Sequence, residues 1–191
     1  MRKIIVYIAT SADGFIARPD GDIGWLDRPR IAGNYGMNDF YRSIDTVLMG
    51  RKTYDIGLKL GQTSYPGKMN FVFSRTPRRS GVPEVEFVAQ EAGEFAKGLR
   101  ITPGKDIWLV GGGELIGSLL DSGQVDEFII HVIPILIGEG IPLLRPRHRA
   151  VPLALLSSRS FPDGVVRLHY RVQRRFMGKV SGPKRPRGRR S

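Results

Sequence analysis

Apolar and polar residues change rhythm along this chain, and the changes predict strands alternating with helices. Residues 3–10 (KIIVYIAT) alternate and are rich in Ile, Val and Tyr, which predicts a central first strand. Residues 45–49, 69–73, 82–89 and 107–110 predict further short strands, each apolar run being too short for a helix. Residues 126–137 (DEFIIHVIPILI) form the longest apolar strand, with Pro134 expected at a bulge or an edge. Helical spacing recurs at 34–43, where Met37, Phe40, Tyr41 and Ile44 share a face, and again at 50–60, 91–99 and 114–121. Two late strands, 153–160 and 165–172, flank Asp163-Gly164, a hairpin signal. This order predicts an α/β domain with a mostly parallel central sheet, helices packed on it, and an antiparallel C-terminal hairpin.

Glycines punctuate the strand ends. Gly111, Gly112 and Gly113 follow the strand 107–110, and a helix starts at Glu114. Such an entry turns backbone N–H groups toward an anion, and three glycines let a flat ligand approach without meeting a Cβ. A sharp turn is the bland alternative, and the spacing is not that of the dinucleotide fingerprint G-x-G-x-x-G. Gly50 opens a second strand-to-helix entry, where Arg51 and Lys52 bring charge and Thr53 can cap or bond an anion. Ser74 and Arg75 close the strand 69–73 and suit a phosphate monoester. Each cluster alone reads as an ordinary cap or turn. All three fall just after strands, where open α/β sheets gather their ligands. Residues 11–25 form a long turn-rich loop, expected to act as a lid or binding loop.

Composition narrows the picture. The 191 residues fit one domain, 1–173, followed by a basic tail at 174–191. No cysteine is present, which removes disulfides and thiolate metal sites, and no metal site is expected. No apolar run approaches the length of a membrane span, and a cytoplasmic protein is the default. The net charge of +12 is concentrated at the end, where Arg174, Arg175, Lys179, Lys184, Arg185, Arg187, Arg189 and Arg190 face no acid. That tail reads as disordered, either solvated or in weak nonspecific contact with nucleic acid.

Taken together, the segments IIVYIATSADGFIA, DGDIGWL, DTVLMGRKTYD, MNFVFSRT, IWLVGGGELIGSLLDSGQVDEF and PILIGEGIPLL resemble the dihydrofolate reductase-like superfamily. The likeness is to the branch that holds the reductase domain of bacterial riboflavin biosynthesis, and it spans residues 3–172. It implies a three-layer fold with helices on both faces of the sheet, an NADPH site and hydride transfer. Gly50, Arg51, Lys52 and Thr53 match the place against the cofactor phosphates, and Ser74 and Arg75 the grip on the adenosine 2′-phosphate. Gly111, Gly112, Gly113, Glu114 and Leu115 match the loop beneath pyrophosphate and nicotinamide. Ala9 and Ile16 match backbone positions that hold the carboxamide.

The substrate side departs from true folate reductases. Where those carry an acid early in the first helix, Tyr35 and Gly36 stand here, with Asp39 one turn on. His131 matches a substrate-facing strand position, and Trp25 an aromatic at the substrate mouth. Trp25, Tyr35 and His131 are therefore the substrate candidates. Asp13 and His131 are the candidates for proton transfer, although a strand histidine also suits a satisfied core position. The resemblance implies an NADPH-dependent reductase of a heterocycle, most like the 5-amino-6-(5-phosphoribosylamino)uracil reductase. Reduction of dihydrofolate or another pterin is the alternative, as is a non-catalytic nucleotide-binding protein with a nucleic-acid-binding tail. A homodimer is expected from the apolar strand at 128–137.

Overall fold

The computed structural model describes residues 1–28, 33–76, 79–147 and 150–173, so the basic tail at 174–191 and its expected disorder lie outside the described residues. Among the described residues ten strands and four α-helices follow one another: β1 (Ile4–Ser11), β2 (Phe15–Ala17), α1 (Met37–Ser43), β3 (Ile44–Gly50), α2 (Arg51–Lys59), β4 (Met69–Phe73), β5 (Val85–Val88), α3 (Ala92–Arg100), β6 (Asp106–Gly111), α4 (Gly113–Asp121), β7 (Glu127–Ile133), β8 (Ile141–Pro142), β9 (Leu153–Ser160) and β10 (Val166–Val172). Eight of the strands form one sheet in the order β5-β4-β3-β6-β1-β7-β10-β9. Strands β5 through β7 are parallel, and β10 and β9 add antiparallel to that edge.

Period-two alternation sorts the side chains into two cores. Ile4, Val6, Leu48, Ile107, Leu109 and Phe128 meet α3 and α4 through Phe95, Ala96, Leu115, Ile116 and Leu119. Ile5, Tyr7, Val47, Met49 and Trp108 meet α1 and α2 through Phe40 and Tyr54. Helices therefore cover both faces, and the three-layer architecture follows. Leu109 is fully buried, so trimming it to alanine would cost about 2–5 kcal/mol. Helix α3 is fixed at its start by the Glu91 carboxylate, which accepts from the Glu94 N–H at 2.8 Å.

Several local expectations need correction. Pro134 stands past the end of β7, because a residue without an N–H ends the ladder there rather than bulging within it. The strand β7 lies between β1 and β10, so most of the apolar surface expected to pair two copies is spent inside the sheet. The expected late hairpin is present and turns through residues 162–164: Phe161 N–H donates to the Val165 carbonyl and Gly164 N–H to the Phe161 carbonyl, with Gly164 at φ +85°. Gly50 is extended (φ −78°), so its role is not a left-handed turn. The 11–25 loop is pinned rather than free. Its β2 pairs with β8, the Ala12 N–H donates to Ile135 at 2.8 Å, and Leu143 N–H donates to Gly14 at 3.1 Å.

Candidate functional site

The parallel strands end at one edge of the sheet, and there the two glycine entries meet. A Cβ placed on Gly50 would lie 3.7 Å from both the Gly111 carbonyl oxygen and the Gly112 nitrogen. One placed on Gly112 would meet only the Thr53 hydroxyl, at 3.4 Å. The starts of α2 and α4 therefore approach each other closely, with bare backbone and one hydroxyl where they meet. Each contributes the positive end of a helix dipole, and the first α4 N–H to bond within the helix is that of Ile116, donating to Gly112 at 3.1 Å. Gly111 has φ +131°, which favours glycine, and its peptide bond to Gly112 is cis. This arrangement suits an anion that needs backbone donors.

Other proposed cofactor contacts fare differently. Gly113 is buried, and a Cβ there would fall 2.7 Å from the Pro142 carbonyl oxygen, so its smallness serves packing of the 142–143 backbone. Leu115 is turned into the core beneath the sheet, leaving only its backbone N–H for a ligand. The Glu114 carboxylate pairs with Arg145, and its negative charge would repel a phosphate, so its side chain is no part of an anion site. Arg51 is engaged by Asp55 one turn on, at 2.7 Å, while Lys52 is exposed. The buried Ser74 donates its hydroxyl proton to the Thr76 carbonyl at 2.8 Å, so it has no proton left for a phosphate oxygen. Arg75 beside it is exposed. Ala9 lies in the β1–β7 ladder, and Ile16 falls at the register irregularity between Phe15 and Ala17, which leaves it between paired positions.

Asp13 turns out to be a clasp. Its carboxylate accepts from the Gly138 N–H at 2.8 Å and the Ile137 N–H at 3.2 Å. Hydrogen bonds from Ser11 and from these amides hold its pKa below the ordinary carboxylate value. A carboxylate so held is ionised at neutral pH and does not donate a proton. What it does is join the loop after β1 to the loop after β7.

On the substrate side, His131 is buried, with its Nε2 3.2 Å from the Tyr35 carbonyl oxygen and 3.4 Å from the Tyr7 hydroxyl. Burial pushes the imidazole pKa down, and the nearby Arg167 charge adds to that. It is thus neutral at pH 7 and forms part of a wall, which corrects its reading as a proton donor. Burial likewise pushes the Tyr7 phenol up to about 12. Tyr35 adopts a left-handed φ of +56°, and its hydroxyl donates to Asp163 at 2.5 Å. Its ring packs edge-on to Phe161 at 5.1 Å. Trp25 packs into the same cluster with Ile133, Phe161 and Val165, and its buried indole N–H has no hydrogen-bond partner among the described residues. Asp39 is exposed beside Arg42, so it does not replace the missing folate-site acid.

A parallel sheet with glycine entries at its carboxyl edge and an aromatic cluster around Trp25, Tyr35 and Phe161 invite comparison with known proteins. The sequence pattern of the RibD C-terminal domain matches residues 2–167. The chain belongs to that family. Its fold is accordingly of the dihydrofolate reductase-like superfamily, and its type is that of a riboflavin-pathway reductase domain. Two curated relatives are the uncharacterized proteins YwjB and YyaP of Bacillus subtilis (strain 168). YwjB is 38% identical over 170 residues, covering 88% of this chain and 97% of its own. YyaP is 34% identical over 181 residues, covering 88% and 94%. Among solved structures, a protein of Shewanella sp. PV-4 assigned to riboflavin biosynthesis superposes with a TM-score of 0.80 at 27% identity, covering 90% of this chain and 99% of its own. The Thermotoga maritima deaminase/5-amino-6-(5-phosphoribosylamino)uracil reductase shares the fold at a TM-score of 0.68 and 15% identity, and the chain spans 57% of it.

Within this RibD C-terminal domain the sequence pattern missed the charged groups around Tyr35. Asp163 was legible only as a turn residue, yet its carboxylate takes the Tyr35 hydroxyl and pairs with Arg28 at 3.3 Å. Tyr7, Arg159 and Arg167 were also passed over. Their signal was the alternation itself, which puts Arg167 in the same row of the sheet as Ala9 and His131. Among the described residues no group of three His, Cys, Asp or Glu could hold a metal ion, and no helix is long and apolar enough to cross a membrane.

Proposed function

We propose that this protein is an NADPH-dependent reductase of a heterocyclic substrate, most like the 5-amino-6-(5-phosphoribosylamino)uracil reductase. The observation that carries the reading is the convergence of two helix N-termini on bare backbone, at Gly50 and Gly112, at the carboxyl edge of β3 and β6. A diphosphate fits it chemically, because it needs donors and no opposing side chain. Membership of the RibD C-terminal domain family supports the same assignment. NADPH, when bound, would supply the hydride. The chain's part is to place two rings against each other and keep water out. Gly50, Thr53, Gly111 and Gly112 would hold the diphosphate, Arg75 the 2′-phosphate, and Ala9 and Ile16 the carboxamide through backbone. Trp25, Tyr35 and His131 would wall the heterocycle. Dihydrofolate is disfavoured as substrate because Asp39 faces solvent and Asp163 is already held by Arg28.

The test is NADPH oxidation by the full chain against a panel of pterins, aminouracil ribosyl phosphates, flavin precursors and quinones. Turnover with an aminouracil and none with dihydrofolate is expected. NADPH binding without turnover on any member would leave a nucleotide-binding protein instead.

A further inference from the structure

Arg167 and Arg159 stand directly opposite each other on the antiparallel pair β10–β9. Directly opposed residues in such a pair point to the same face with Cβ atoms about 5 Å apart, and like charges there are destabilising. Arg167 is directly opposite His131 in turn, so both guanidinium groups stem from the row of the sheet that carries Ala9 and His131. Arg167 leans toward the start of α1, where its Nη1 lies 2.6 Å from the position a Gly36 Cβ would take. Arg159 leans over the Phe161 ring, 5.0 Å from its centroid. The two cations thus flank the corner where Tyr35 meets Phe161. Among the described residues neither has an acidic partner, and the nearby Asp163 is committed to Arg28 and Tyr35. Arg167 is half-buried and Arg159 exposed, so together they offer an anion two charge-assisted donors beside aromatic rings, with no acidic partner competing among the described residues.

We propose that Arg159 and Arg167 form the subsite for an oxyanion carried by the substrate, a phosphate monoester or a carboxylate, with its ring against Tyr35 and Phe161. The proposal rests on the reductase reading for what the ligand does, but not for whether the subsite binds. The two arginines select an acidic substrate and reject the protonated pterin that an acid in this pocket would favour.

The experiment titrates the full chain with ribose 5-phosphate and with benzoate, against ribose and benzyl alcohol as neutral parents, in low-salt buffer with NADPH present. Wild type is expected to bind one of the anions at least tenfold more tightly than its parent, and the winning anion tells phosphate from carboxylate. Arg167→Gln and Arg159→Gln should each remove most of that preference, and the double variant all of it. Without ligand, the exposed Arg159→Gln should melt no lower than wild type, since it relieves the repulsion. No preference for either anion, or a preference that survives in the double variant, overturns the proposal. NADPH fluorescence in the same samples reads the cofactor site separately. Loss of NADPH binding with anion preference intact would sink the reductase reading and leave the subsite standing.

Discussion

Gly112→Ala separates a nucleotide cradle from a mere turn, and the structure gives the size of each effect. At φ −75° and ψ −173° the Gly112 backbone is open to any residue. The added methyl meets only the Thr53 hydroxyl, at an ordinary 3.4 Å. Replacing a glycine where alanine fits changes stability by roughly 0.4–1 kcal/mol in favour of the variant, through the unfolded chain. The empty protein should therefore melt within a few degrees of wild type. The same methyl, however, stands on the bare backbone where the starts of α2 and α4 meet. If a diphosphate lies there, it is pushed off at least one backbone donor, and a charge-assisted hydrogen bond is worth about 1.5–3 kcal/mol. The dissociation constant for NADPH should rise roughly 10- to 100-fold, since each 1.4 kcal/mol is a factor of ten.

The control is one residue away. Gly111 has φ +131°, so Gly111→Ala should lose about 1–3 kcal/mol of stability whether or not a nucleotide binds. Scanning calorimetry without cofactor and fluorescence titration with NADPH read the two quantities. A Gly112→Ala protein that melts far lower yet binds NADPH unchanged in its folded fraction would refute the cradle.

Arg75→Ala should weaken NADPH about tenfold or more while leaving NADH unchanged, measured by titration with both cofactors; equal wild-type affinities for the two would reject the 2′-phosphate assignment. His131 has its folded pKa depressed by burial below its ordinary 6.5, so stability is full above that value and falls as pH drops below it; His131→Gln should flatten the melting profile below pH 6.5, and an unchanged slope would show that other groups carry it. A homodimer remains our expectation, moved to the edge strand β9, where Leu153, Leu155 and Leu156 are 40%, 57% and 39% exposed; Leu155→Glu should convert a dimer to a 21.3 kDa monomer by light scattering, and a wild-type monomer at micromolar concentration would end the idea.

What could be read from the sequence follows the range of the forces involved. Strand and helix positions came through because alternation and helical spacing are local, and each face of β1 or β6 finds its own core. The glycine entries were legible for the same reason, since strand, glycine and helix are neighbours in the chain. Which glycine does what was not. Gly113 and Gly112 look alike in sequence, but one packs against the backbone of Pro142, brought in from a distant loop, and the other meets only the Thr53 hydroxyl. Ser74 likewise lost its assignment to Thr76, two residues away, because the turn that brings the carbonyl to the hydroxyl is not written in residue types.

The substrate side was the least legible, and its charges explain why. A folate-type pocket is recognised by an acid on the first helix, so the sequence was searched there. The structure instead brings its ionic groups from the other end of the chain: Asp163 arrives on the β9–β10 turn to hold Tyr35, and Arg159 and Arg167 arrive on the strands beside it. Asp163, Arg159 and Arg167 thus come from the last two strands of the sheet and their turn, more than 120 residues after Tyr35 in the chain, a separation no local pattern spans. A Tyr35 held at φ +56° has a cost that the surrounding contacts must offset, and those contacts include the Asp163 hydrogen bond and the carbonyl bond from His131. The antiparallel hairpin therefore does more than close the sheet. It fixes the backbone of the pocket and carries two of the pocket's cations, so substitutions in this hairpin should change which substrate is accepted sooner than they change the cofactor.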